Sequence, residues 1–319
     1  MDFLTTRADA YANAFYPAGW DYAKIQTITA LDQKAFSERQ PHWHRQFQPV
    51  LCRDGGGGID SMNAMMGYEI FLQIQETATE QRELILILPV GPMGMYRWVV
   101  YFCKRHGLNC KHVHGFNMDE WSDQEGNALP AHAPGSFQAA MEEALYGPLG
   151  KATVPKSQRY FATRHWLPQY PDKIARLRGR GAKLIVVYGI GRACHIAFWE
   201  PHFAAEYKTL AQWKQVPYRL AAQLHPLTIE QNSLHSFASR LTLIPLRANT
   251  IGPGIFTAAD YAIGGADGAH GPLNWQGQSV WMTLRYGPDP WVPSSFMPTM
   301  PGRLFVIETL GGPLVPLAN

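Results

Sequence analysis

The chain of 319 residues is long enough to bury a large core, either as one α/β domain or as two smaller ones. Apolar residues make up 46% and charged residues 17%, and the formal net charge is only +3. That charge, with no run of Lys and Arg, excludes a field that would gather nucleic acid or an acidic membrane. No apolar stretch is long enough to span a bilayer.

The opening M-D-F-L-T-T-R-A-D-A lacks a basic region followed by an apolar one, so no signal peptide and a cytoplasmic location are expected. Residues 1–57 have no clean period and read as an N-terminal extension, with short helices expected near 7–15 and 30–40. His42 and His44 lack carboxylate or Cys company and read as packing or surface residues. Gly55, Gly56, Gly57 and Gly58 form a flexible hinge, because glycine opens positive φ. No strand is expected before them, so they are not read as a phosphate loop. Residues 58–319 are expected to form a single α/β domain with a divergent C-terminal part.

Residues 59–81 predict a helix with Met62, Met65, Met66, Ile70, Leu72 and Ile74 spread around an apolar face. E-L-I-L-I-L at 83–88 is a near-continuous apolar run, as in a strand buried on both faces. It enters the Gly/Pro turn P-V-G-P-M-G-M, after which 95–106 predict a helix. Strand, glycine turn and helix is a layout that can hold an anion on helix N-terminal amides, but here no Lys, Ser or Thr accompanies the glycines.

The next strand, 111–117, ends in N-M-D-E-W. Ligands in open α/β sheets sit beyond the carboxyl ends of strands. Successive strand residues face opposite sides, so one of Asp119 and Glu120 faces such a crevice, and Asp119 is taken as the working group. A helix is expected at 136–145, a short basic helix at 172–180 and a buried strand at 183–188. The last of these runs into G-I-G-R-A-C-H-I-A-F-W-E-P, which puts His195 and Glu200 just past a strand end. Further strands are expected at 241–246, 260–264, 279–286 and 303–310. The pattern argues a mainly parallel sheet covered on both faces.

A carboxylate beside an imidazole suits proton shuttling on a small polar substrate: Asp moves a proton between carbons next to a carbonyl, and His exchanges the proton that opens a sugar ring. Cys194 reads as a small buried thiol, with nothing placed by sequence to ionise it. The four cysteines lack C-x-x-C spacing and read as free thiols.

These segments resemble the glucosamine-6-phosphate deaminase/isomerase family, which shares a Rossmann-like fold with 6-phosphogluconolactonase. F-N-M-D-E-W at 116–121 is similar to that family's Phe-Asn-Met-Asp-Glu-Tyr, and P-G-S-F at 134–137 resembles its Pro-x-Ser-Tyr helix start. G-I-G-x-x-x-H-I-A-F-x-E-P at 189–201 resembles its second signature, and T-I-G-P-G at 250–254 its Thr-Val-Gly-x-Gly turn. The resemblance implies Asp119 as the proton carrier between C2 and C1 of an open-chain sugar, His195 as the ring-opening group and Glu200 as its partner. It also implies substrate contacts at Gly91, Gly94, Glu120, Gly189, Gly191 and Arg192, with no metal and no organic cofactor.

Several positions depart from that family. Ala193-Cys194-His195 stands in place of Asp-Gly-His, so the aspartate that helps set the histidine's charge is lost. The phosphate loop is replaced by 90–95, without a hydroxyl. The family's phosphate-binding lysine and arginine fall near Asp267 and Ile229. A phosphate dianion without Arg or Lys is costly to desolvate. The expected substrate is therefore a small sugar or amino sugar, either unphosphorylated or held by cations from elsewhere, with Arg97, Arg192 and Arg247 as candidates. The alternatives are a catalytically decayed sugar-binding relative and a lactonase-type hydrolase. A homo-oligomer is compatible with the aromatic-rich termini.

Overall fold

A computed structural model of the protein describes residues 15–53, 58–270 and 273–316. The expected helix at 7–15 falls almost wholly outside these residues, as do three of the four hinge glycines. The core is one seven-stranded sheet, parallel throughout, in the order β1-β12-β9-β6-β2-β3-β5. Its strands are β1 (Phe47–Cys52), β2 (Leu84–Leu88), β3 (Val113–Asn117), β5 (Arg159–Tyr160), β6 (Lys183–Gly189), β9 (Tyr261–Ala266) and β12 (Gly302–Ile307). With helices around it, this is the α/β, Rossmann-like fold class expected.

Beside the central strand β6 lies β2, whose five residues L-I-L-I-L are all buried. A side chain on either face has no route to water, so both faces must be apolar. Burying these five side chains contributes on the order of 10 kcal/mol gross. Helices α2 (Gly58–Thr79) and α3 (Gly94–Arg105) pack on each other beside it. At their crossing a Cβ on Gly67 would sit 2.6 Å from Trp98 Cβ and 2.7 Å from the Met95 carbonyl, so glycine is needed for the close approach.

The chain leaves the parallel sheet at Met118. Its N–H donates to the Leu88 carbonyl, and its own carbonyl accepts from Ile251 N–H. Asp119 is therefore the first residue of a second sheet. This one is antiparallel, with β4 (Asp119–Ser122) against β8 (Arg247–Ile251) and β8 against β7 (Tyr218–Gln223). A short hairpin, β10 (Ala269–His270) with β11 (Leu273–Asn274), follows β9.

Three readings of the sequence are corrected. The strand expected at 241–246 is a 3-10 turn at Leu241–Leu243, and the strand begins only at Arg247. Pro245 has no N–H for a ladder, which delays pairing until it is passed. The strand expected at 279–286 is instead helix α7 (Gly277–Arg285). The glycine hinge is preceded by a strand after all, since β1 ends at Cys52. As the sheet edge, paired to β12, β1 joins the region read as an N-terminal extension to the domain.

The N-terminal segment is also tied down further out. Helix α1 (Tyr22–Thr29), capped by Asp21 accepting from Lys24 N–H, packs on α7. Trp20, Ile25 and Ile28 form an apolar cluster with Met282, Tyr286, Val292, Leu227, Ala193 and Cys194. The two ends of the chain thus meet behind the loop that carries His195.

Candidate functional site

Four neighbouring strands, β9, β6, β2 and β3, send their carboxyl ends toward one cavity of about 220 Å3. Past β2 it is lined by Gly91 and Pro92, past β3 by Asp119, past β6 by Gly189, Gly191 and His195, and past β9 by Gly265, Asp267 and Gly268. Phe137, Phe198 and Trp275 form aromatic walls. Gln231, Asn232 and His235 reach in from α6 (Pro226–Ser236).

Asp119 is 6% exposed, and its Oδ1 makes no hydrogen bond among the described residues. Burial pushes its carboxyl well above the usual carboxylate range, and the neighbouring charge of Glu120 adds to the rise. A desolvated carboxyl that ionises reluctantly is a strong base once ionised.

Glu120 faces the other way, as strand alternation requires. Its carboxylate accepts from the backbone N–H of Trp121 (3.0 Å), Phe137 (3.1 Å) and Gln138 (2.9 Å) and from the Ser136 hydroxyl (3.2 Å). It therefore holds the start of α4 (Phe137–Met141), where free N–H groups and the helix dipole favour an anion. Glu120 is not part of the cavity lining.

His195 sits in a tight turn. Gly191 N–H donates to the His195 carbonyl (3.1 Å), and Cys194 N–H to the Gly191 carbonyl (2.8 Å). Two non-glycine residues here have left-handed backbones, Cys194 at φ +61° and Ala197 at φ +53°. Such strain persists only where the surroundings over-determine it. Ser294 N–H does so at the Cys194 carbonyl (2.9 Å), and Thr250 Oγ1 does so by accepting from Phe198 N–H (2.9 Å). A Cβ on Gly191 would overlap the His195 ring, so glycine is required there.

The ring of His195 is held through Thr228, on α6. Thr228 Oγ1 donates to Glu200 Oε2 (3.0 Å) and lies 2.9 Å from His195 Nδ1, while Nδ1 and Oε2 are 3.5 Å apart. The threonine has one hydroxyl proton, and the carboxylate takes it. Nδ1 must then donate to Oγ1, so in the neutral tautomer the proton acceptor is Nε2. Glu200 is fully buried. Burial acts to raise its carboxyl, but the charge and hydrogen bond of His195, the charge of His225 and the Thr228 hydroxyl outweigh it, and the group is held below the usual range.

The structure thus brings Asp119, His195, Gly91, Gly189 and Gly191 to one cavity and places Glu200 behind His195. It does not bring Gly94, Glu120 or Arg192 into the lining. Gly94 faces Asn63 of α2, and Arg192 pairs with Glu230 at 2.9 Å. Arg97 pairs with Asp60, and Arg247 donates to the Ala221 carbonyl. None of the three candidate arginines lines the cavity. Ala193 is fully buried in the apolar cluster under α7, and Cys194 beside it is buried, with its thiol pushed up by burial. His42 lies 3.2 Å from the Leu284 carbonyl and His44 Nδ1 accepts from Gln46 N–H, both packing roles. No group of three or more His, Cys, Asp or Glu among the described residues is placed to hold a metal ion. No helix among them is long and apolar enough to cross a membrane.

Thr228, Gln231 and His235 were missed by the sequence reading, although a signal existed. With Asn232 they form a polar stripe at i, i+3, i+4 and i+7, which is one face of a helix.

No protein-family profile matches the chain. It is 29% identical over 190 residues to a glucosamine-6-phosphate deaminase from Exiguobacterium sp., covering 56% of this chain and 62% of that protein. It is 25% identical over 221 residues to a glucosamine-6-phosphate deaminase from Alkaliphilus oremlandii, covering 68% of this chain and 81% of that one. The chain thus spans about 62% of the length of the first of these relatives. Among solved structures, a monomeric glucosamine-6-phosphate deaminase of the NagB superfamily superposes with TM-score 0.65 at 16% identity, over 83% of this chain and 98% of that one. A 6-phosphogluconolactonase from Thermotoga maritima superposes with TM-score 0.55 at 13% identity, over 82% and 99%. These relatives bear out both the fold and the resemblance to the glucosamine-6-phosphate deaminase/isomerase family.

Proposed function

We propose that the protein is a sugar isomerase or amino-sugar deaminase that moves a proton between C2 and C1 of an open-chain aldose or amino sugar. One observation carries this reading. A buried Asp119 with an uncommitted oxygen and a His195 with its Nε2 as acceptor line the same cavity.

In the proposed cycle Nε2 of His195 takes the proton from the anomeric hydroxyl and passes it to the ring oxygen as the C1–O5 bond breaks, which leaves the open-chain aldehyde. The imidazolium that forms is stabilised by Glu200, reached through the Thr228 hydroxyl. Asp119, ionised, takes the C2 proton next to the carbonyl and returns it to C1 of the enediol or enolamine. Its acid form is stabilised by burial, so it can hold that proton between the two steps. Each positioned proton transfer is worth roughly 10²–10⁴-fold. With an amino sugar, the product at C2 is an imine, which water hydrolyses to ketose and ammonia.

Proton NMR in D₂O tests the reading. Aldoses and amino sugars are incubated with the enzyme and followed for deuterium at C1 or C2 and for ketose and ammonia, with Asp119→Asn as control. Exchange that disappears in the variant is the expected result. Absence of exchange with every sugar, alongside hydrolysis of sugar lactones that survives Asp119→Asn, would move the function to the lactonase chemistry of the second structural neighbour.

A further inference from the structure

The cavity has an unusual charge. None of its lining residues is Lys or Arg, while two are carboxylic acids, Asp119 and Asp267. Among the described residues, the imidazoles of His195 and His235 are the only lining side chains able to carry positive charge. A phosphate dianion placed here would be taken out of water with no Lys or Arg among the described lining residues to replace its hydration.

The backbone compensates only in part. The turn after β2 contains Pro89 and Pro92, which have no amide N–H. Three of the following amides are committed inside the turn: Met93 N–H donates to the Gly91 carbonyl, Met95 to Pro92 and Tyr96 to Met93. The amides of Val90, Gly91 and Gly94 remain as neutral donors, with no Lys or Arg among the described lining residues beside them.

Asp267 and Asp119 lie at the two ends of this crevice. They follow β9 and β3, which are separated by β6 and β2, a span of three inter-strand steps or roughly 14 Å. If chemistry happens at Asp119, the far end of an extended substrate lies toward Asp267, Trp275 and Gln276. Gln276 fixes that end of the wall, with its Nε2 donating to the Ile190 carbonyl (2.6 Å) and its Oε1 accepting from Gly268 N–H (2.8 Å). An aromatic ring beside a carboxylate suits the C–H face and the hydroxyls of a neutral polyol.

We infer that this cavity selects a sugar or amino sugar whose terminal carbon bears a free hydroxyl in place of a phosphate, with Trp275 and Asp267 at the hydroxyl end. The inference rests on the proposed proton-transfer reading for its orientation, but its charge argument stands without it.

Two measurements test it separately. The first is calorimetric binding of glucitol and glucitol 6-phosphate, open-chain polyols that cannot react. The second is deuterium exchange into glucose and glucosamine, compared with their 6-phosphates. The unphosphorylated compound is expected to win each comparison by at least about 10-fold. Asp267→Asn is expected to narrow the gap by improving glucitol 6-phosphate binding several-fold. Tighter binding or faster exchange of the phosphorylated member, or no binding of any unphosphorylated sugar or polyol, overturns the inference. Selective glucitol binding without exchange supports it while sinking the isomerase reading. Exchange that prefers the 6-phosphates does the reverse.

Discussion

Replacing Thr228 with Val removes one oxygen and almost nothing else in shape, yet it breaks the link between His195 and Glu200. In the native protein Oγ1 bridges Nδ1 at 2.9 Å and Oε2 at 3.0 Å. Both partners are buried, and Glu200 Oε1 already lacks a hydrogen bond among the described residues. After the change a ring N–H and a carboxylate oxygen are left facing a methyl group, at about 1–3 kcal/mol for an unsatisfied buried group. The direct Nδ1–Oε2 separation of 3.5 Å lets the pair close part of the gap, so the lower half of that range is expected for stability. Thermal unfolding should then move down by roughly 1.5–3 °C. Activity should fall further, by about 10–100-fold in kcat, because the ring loses the partner that fixes its tautomer. The loss should fall on kcat more than on KM, and the pH profile of kcat should shift. Thr228→Ser, which keeps the hydroxyl, should recover most of it. A Val variant with native kcat and an unchanged pH profile would refute the relay, and Glu200 would then act on His195 directly or not at all.

Four further outcomes follow from the same geometry. Gly191→Ala should leave the fold measurable by circular dichroism but cost at least about 100-fold in activity, because the new methyl displaces the His195 ring. Glu120→Gln should lower stability in chemical denaturation by roughly 2–3 kcal/mol, since it weakens charge-assisted bonds from three backbone N–H groups and one hydroxyl, while KM stays within a few-fold. Ala193→Asp, which restores the residue of the resembling family, should lower denaturant stability by about 3–5 kcal/mol and give no gain in activity, because the side chain enters the apolar cluster of Trp20, Leu227 and Met282. His225 is held neutral mainly by burial, helped by the charges of His202 and His195 and opposed by Glu200, with its pKa down from 6.5 to about 4. The unfolded chain therefore binds the extra proton first, and stability is complete above pH 6.5 and falls as pH drops toward 4, by up to about 3 kcal/mol. His225→Asn, which keeps a side-chain acceptor for the Leu227 N–H, should flatten that slope in urea titrations across the range.

The central strands were legible because burial on both faces leaves no alternative to an apolar run, as at residues 84–88 and 183–188. Helix α7 was not legible, for the same physical reason acting on a helix. Seven of its nine residues are buried, so it shows no polar face, and Val280, Trp281 and Thr283 carry strand-like character. Strand β1 was missed because Pro49 interrupts it, and an edge strand tolerates a proline that an inner one does not. The catalytic candidates on strand ends stood out as short motifs, but Thr228 could not. Its meaning depends on α6 folding back across the end of β6, a contact between residues 33 apart. Ala193 shows how one departure from a motif is tied to distant sequence. Read alone, it is a lost hydrogen-bond acceptor beside a histidine. In the fold, its position is filled from behind by Trp20 and Ile25 from one end of the chain and Met282 and Val292 from the other. A charged residue there would need a partner that those segments do not supply, while the histidine finds its partner on α6 instead. The substitution, the segments that pack behind it and the threonine relay thus meet around one turn, the one that carries His195.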